Sequence, residues 1–154
     1  MRGRVVNKRA RYNLCYGKFS QEPDYSEGRG TVVNFKDVPL TSELRKNIGE
    51  YVGSKGKNLQ GEGNLYYDST RTGIGFHGDS ERRKVVALRL GESIPLVYSW
   101  FLQCKSVGHP MKLNLQHGDL YIMSEKAVGF DWKRRKVLTL RHAAGCEKYT
   151  TLTK

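Results

Sequence analysis

Beyond Gly53 no apolar run recurs at helical spacing, and that constrains this chain more than any other feature. Short β-branched and aromatic stretches alternate instead with Gly, Ser, Asp and Pro, over residues 64–68, 84–90, 95–103, 111–115, 120–124 and 136–142. Lys84-Val85-Val86-Ala87-Leu88-Arg89-Leu90 is nearly continuous apolar, as in a strand buried on both faces or packed under a helix. Only one helix is credible, opening after Pro39 and Leu40. Thr41 is its expected cap and Glu43 lies in its first turn. Leu44, Ile48 and Tyr51 or Val52 form its apolar stripe, and Gly53 ends it. Residues 31–35 are β-branched enough for a strand, and residues 1–30 read as an arm or loop with a short strand near 12–19. Several strands following one helix predict a mostly β domain with helical support (α+β), a sandwich or barrel.

A chain of 154 residues suits one domain with a proper core. Its formal net charge of +12 exceeds what solubility requires and fits a polyphosphate partner, although a basic protein that binds nothing in particular is the plainer alternative. Cys15, Cys104 and Cys146 are too few and too scattered for a disulfide framework or a zinc site. No signal-peptide or membrane-spanning run and no basic amphipathic helix is visible, so a soluble intracellular protein, monomeric by default, is expected.

The chemistry concentrates in Gly75-Phe76-His77-Gly78-Asp79. On extended backbone His77 and Asp79 project to one side, so an imidazole and a carboxylate form two corners of a facial metal site. Taken alone, His-x-Asp is weak, and a polar turn is the plainer reading of it. Three further groups follow the same order along the chain: the same-face pair Asn64 and Tyr66; the turn and strand from His117-Gly118-Asp119 to Met123; and Arg135, Val137, Thr139 and Arg141 at alternate positions.

In order and spacing this set resembles the AlkB family of Fe(II)- and 2-oxoglutarate-dependent dioxygenases. The resemblance implies a single AlkB-like domain over 1–154 with a double-stranded β-helix (jelly-roll) core, and a catalytic part over 63–145. It implies Fe(II), 2-oxoglutarate and O2, with His77 and Asp79 as metal ligands and catalytic residues. Arg135 would hold the far carboxylate of 2-oxoglutarate with help from Tyr66, and Asn64 and Arg141 would lie near its keto acid end. An arginine fork suits a carboxylate better than a mobile lysine.

The family's second metal histidine follows a Trp. Here Trp132 is present, but Arg134 stands where the histidine is expected. His142 is taken as the third ligand, with Asp131 or Glu125 as alternative carboxylates. Strict alternation points His142 away from Arg141, so a bulge, or an end of the strand at Ala143-Ala144-Gly145, would be needed to turn it inward. His117 reads as structural, and His109 as part of an exposed Gly-His-Pro turn.

The implied reaction is oxidative demethylation or hydroxylation of a modified base in DNA or RNA, with Arg9, Arg11, Arg82 and Arg83 as candidate nucleic-acid contacts. For Arg82 and Arg83 a solvated charge run, or support of Asp79, is the competing reading. Two other functions remain open: a nucleic-acid-binding module on the same fold without catalysis, and a hydroxylase of a protein or small molecule.

Overall fold

The computed structural model describes residues 10–152, so Arg9 lies outside the described residues. The chain divides into two compact units, Met1–Leu65 and Tyr66–Lys154. Strands dominate the second unit, while the first combines three strands with the longest helix.

In the first unit, β1 (Tyr12–Gly17) lies between β2 (Val32–Asn34), its parallel neighbour, and β3 (Gly61–Leu65), its antiparallel neighbour. The expected N-terminal arm therefore contains a central strand, paired on both sides. Helix α1 (Pro39–Val52) starts two residues before the expected cap. Proline needs no backbone donor at a first helical position and has its φ preset, so Pro39 opens the helix without a side-chain cap. Tyr51 is exposed and Val52 half-buried, which places Val52 on the inner stripe. Phe35 is buried, stacked with Tyr16 at 6.2 Å and covered by the Arg45 guanidinium at 4.5 Å.

The second unit contains β4 (Gly73–His77), β5 (Val85–Leu88), β6 (Ile94–Leu102), β7 (Lys105–Leu115), β8 (Leu120–Met123), α2 (Glu125–Val128), β9 (Thr139–Gly145) and α3 (Glu147–Thr150). Its strand pairs are nested and antiparallel: β6 with β7, β5 with β8, β4 with β9. The middle pair forms its own two-stranded sheet, while the other strands join in the order β4-β9-β6-β7. The chain thus folds as a long hairpin whose successive strand pairs fall in alternate sheets. Leu96, Tyr98 and Ala144 from the larger sheet pack with Met123 from the smaller one and Val128 from α2 in one core.

Several sequence boundaries need correction. The expected strand over 84–90 shortens to β5, whose residues are all half-buried rather than covered on both faces. Gly108-His109-Pro110 is no turn but an exposed part of β7. A register irregularity opposite Tyr98 and Trp100 absorbs Gly108 and Pro110, and an edge strand tolerates a proline because one side of its ladder is empty. The strand expected over 136–142 begins only at Thr139. Arg135 is exposed in a bend before it, because four consecutive cations from Lys133 to Lys136 have no ladder to join and repel one another. The strand expected over 64–68 ends at Leu65, so Asn64 closes the first unit's sheet while Tyr66 packs on the second unit's core. No helix among the described residues is long and apolar enough to cross a membrane.

Candidate metal centre

His77 ends β4 and His142 lies in the middle of β9, directly opposite it across the ladder. Ile74 pairs with Ala144 and His77 with His142, so three steps along β4 match two along β9. That extra residue is a bulge, and it reverses the side to which His77 points. Without it His77 would face away from His142. The irregularity lies in β4 at Gly75-Phe76; β9 pairs with β6 in unbroken register and runs on to Gly145, so His142 is not turned toward Arg141, and it is His77 that is brought to His142.

The bulge also orients the imidazole. His77 Nδ1 lies 2.8 Å from the Gly75 carbonyl oxygen, to which it donates as Nδ1–H. This fixes the tautomer and leaves Nε2 with a free lone pair, as in metal-ligating histidines whose second nitrogen is tied to a carbonyl. Asp79 stands two residues past the end of β4, and its backbone N–H donates to the Val128 carbonyl at the end of α2 (3.0 Å). Between them Gly78 presses against Gly129, which caps α2 in the left-handed conformation at φ 75°.

The side chains converge. His77 Nε2 is 3.6 Å from one Asp79 oxygen, His142 Nε2 is 3.9 Å from the other, and the two rings are 4.4 Å apart between centroids. One ligand atom from each of the three lies within 4.8 Å of the others, and no other such group of acid, thiol or imidazole side chains occurs among the described residues. Neighbouring donors on one ion with metal–ligand bonds near 2.1 Å sit about 3 Å apart, so the cluster would contract slightly on loading. Side-chain exposure falls from 24% at His77 and 18% at Asp79 to 8% at His142, so His77 and Asp79 are the more open members of the cluster.

Burial, aided by the neighbouring His77 and Arg82, pushes His142 down to about 4. It is therefore neutral near pH 7, the form in which imidazole binds metal. Its Nδ1 is buried and completes no hydrogen bond of good geometry, although the Ala127 backbone lies close enough to favour the proton slightly. A stability consequence follows for the metal-free protein. As pH falls through the ordinary imidazole value of 6.5, unfolded chains take up a proton that folded His142 refuses until about pH 4. Stability is thus full above pH 6.5 and declines toward pH 4, by up to roughly 3 kcal/mol from this group. Urea unfolding in chelator at pH 7 and pH 4.5 should show the loss, and His142→Gln should remove most of it.

The alternative carboxylates are engaged elsewhere: Asp131 accepts from Lys126 Nζ (2.7 Å) and Glu125 from Arg83 (2.9 Å). Arg134 is exposed, and His117 Nδ1 accepts the Gly91 N–H at 2.9 Å, a turn-fixing role as expected. The predicted arginines fit less well. Arg141 adjoins His142 on a regular strand and so projects to the opposite face. Its guanidinium lies 4.3 Å from the Phe101 ring centre and 5.3 Å from that of Trp132. Arg135 is off the strand altogether. Asn64 accepts from Arg11 Nε (2.7 Å) and Asn13 Nδ2 (2.8 Å) within the first unit's sheet, which also occupies Arg11. Of the other basic candidates, Arg82 lies 3.9 Å from Asp79 and 3.0 Å from Glu81, while Arg83 pairs with Glu125 and lies over Phe130 at 4.2 Å. Arg82 thus lies between two carboxylates, nearer to Glu81 than to Asp79.

Sequence reasoning missed the Gly75 carbonyl, the Gly78–Gly129 contact and Tyr98, whose ring is 6.0 Å from that of His142. Only the glycine at position 78, between two candidate ligands, offered a signal.

Among curated proteins the chain is similar to uncharacterized protein R156 of Acanthamoeba polyphaga mimivirus, with 50% identity over 149 residues. The match takes in 97% of this chain and 58% of that protein, so the chain spans less than two thirds of its relative. No family model matches the chain, and no solved structure does.

Proposed function

We propose that this chain is an Fe(II)- and 2-oxoglutarate-dependent oxygenase of AlkB-like type, acting on a modified base in nucleic acid. One observation carries the reading: His77, Asp79 and His142 converge as two imidazoles and one carboxylate. A facial set of that composition leaves three positions on an octahedral ion, enough for a bidentate keto acid and for oxygen, and it is diagnostic of non-haem Fe(II) oxygenases. The nested strand pairs add support, since a long hairpin folded so that its pairs alternate between two sheets is how a jelly roll is wound.

Bound Fe(II) with 2-oxoglutarate and O2 supplies oxidation of a C–H bond coupled to formation of succinate and carbon dioxide. The chain's own residues do the rest. His77, locked by Gly75, and neutral His142 present their Nε2 atoms, while Asp79 supplies negative charge beside them. Arg82 near Asp79 steadies that carboxylate. The approach past His77 admits substrate, and the buried floor at His142 keeps bulk water from the far side. A net charge of +12 supports a polyanionic substrate held through its phosphates.

The test is succinate formation from 2-oxoglutarate with and without an N-methylated single-stranded oligonucleotide. Expected is stimulation by the methylated strand of at least about tenfold over the unmethylated one, declining as salt rises. Succinate formation indifferent to nucleic acid would redirect the substrate to a protein or small molecule, and salt-dependent binding with no succinate would mark a non-catalytic module.

A further inference from the structure

The face of the larger sheet that turns away from the metal ligands borders an open groove of about 700 Å³. Phe101 lies on that face, because Tyr98 three residues earlier pairs with His142 on the other. Phe76 of β4 and Phe101 of β6 both line the groove and pack on each other, with 5.8 Å between ring centres. Tyr149 of α3 lines it too, and the Lys148 ammonium lies 5.8 Å from the centre of that ring. Lys105 and Ser106, which open β7, are exposed along it, as is Lys148. None of the residues that line the groove is acidic.

Two ammonium groups beside aromatic rings, with no carboxylate to repel an anion, suit phosphates and bases together. An acidic peptide would meet the lysines and leave the rings idle. The basic residues that the sequence suggested for nucleic acid are engaged within the protein: Arg11 donates to Asn64, Arg82 pairs with Glu81, and Arg83 pairs with Glu125. Position adds to the argument. β4 is an edge strand of its sheet, and Phe76 and His77 are consecutive on it, so they project to opposite faces. Gly75, whose carbonyl fixes the His77 imidazole, lines the groove as well. A strand that leaves the groove across the edge of β4 therefore arrives at His77.

We propose that this groove grips single-stranded nucleic acid, with Lys105 and Lys148 on phosphates and Phe76 and Tyr149 against bases. It holds the nucleotides that flank the base presented to His77, Asp79 and His142. This rests on the reading of the substrate as nucleic acid and deepens it by naming the surface that holds the strand.

The experiment follows the fluorescence anisotropy of a labelled oligothymidylate about twelve nucleotides long, bound by the full chain over a range of salt concentrations without added metal. Lys105→Glu with Lys148→Glu should weaken binding at least about tenfold and lower the slope of log affinity against log salt by about 1 to 1.5. Lys36→Glu with Lys46→Glu makes the same change of charge at exposed positions of the first unit and should cost less than about threefold. Circular dichroism checks that both variants are folded. A site acting through charge alone would favour a duplex, whose charge is denser, so wild type should bind the single strand more tightly than its duplex. Exposed Cys104 lines the groove, and bound strand should slow its alkylation by iodoacetamide while leaving that of exposed Cys15 unchanged. Equal losses in the two double variants, preference for the duplex, or no protection of Cys104 overturns the groove while leaving the nucleic-acid substrate and the metal centre standing. Thymidine monophosphate competing as well as the strand would mark a free-nucleotide site and overturn the strand grip. Failure of wild type to bind any strand would instead overturn the nucleic-acid reading itself, and the groove with it.

Discussion

His142→Ala is expected to weaken Fe(II) or Mn(II) binding by more than about a hundredfold, since loss of a group that merely orients a ligand already costs 10- to 100-fold. The expectation depends on geometry. With His142 gone, His77 and Asp79 remain as a pair that is partly open to solvent, and two donors hold a divalent ion poorly. The fold should survive, because β9 keeps its pairing with both β4 and β6 through backbone groups that the substitution does not touch. The variant should also lose most of the acid sensitivity described above. Isothermal titration with Mn(II), alongside circular dichroism, checks both points. Undiminished affinity would mean that His142 is a core histidine beside a metal pair rather than part of the centre.

The second large effect is expected at Gly78. A Cβ built there would fall on the Gly129 carbonyl oxygen and lie 2.6 Å from the Trp132 Cβ. None of these obstacles is the mobile end of a side chain, so backbone must move. Gly129 cannot retreat easily, because its own Cα faces Gly78 and it holds the positive φ that ends α2. Gly78→Ala should therefore destabilise the protein by about 3 kcal/mol. In a unit of this size that lowers the midpoint of thermal unfolding by on the order of 15 °C. Because Asp79 is the next residue and is tied to Val128, the same shift should reduce Mn(II) affinity by about tenfold. A thermal scan and a metal titration on one sample suffice. A variant as stable as wild type would show that the tight backbone approach is not needed.

The two parts of the site were unequally legible. His77 and Asp79 were readable because a two-residue spacing at a strand end has a fixed consequence for direction. His142 could be found by enumerating histidines, but not oriented. Its usefulness depends on one additional residue in a different strand, and a bulge at Gly75-Phe76 leaves no mark in the sequence near His142. Most strands of the second unit were visible from their β-branched runs, yet their ends were not, and β4, rich in glycine, was not among them. Gly108 and Pro110 looked like a turn because local rules favour one, while pairing with β6 overrides those rules on an edge. Arg135 and Arg141 looked equivalent because both sit at alternate positions of one pattern. The strand begins too late to include the first, and alternation carries the second to the face away from His142.

The account stands or falls on whether the three side chains hold one iron ion with open positions for a keto acid. Anaerobic addition of Fe(II) and then 2-oxoglutarate to wild type, followed by visible absorption, tests this most directly. A weak charge-transfer band should appear only with both components present and should be absent from His77→Ala and His142→Ala. A folded wild type that develops no band, or a band that persists at full strength in both variants, would contradict it.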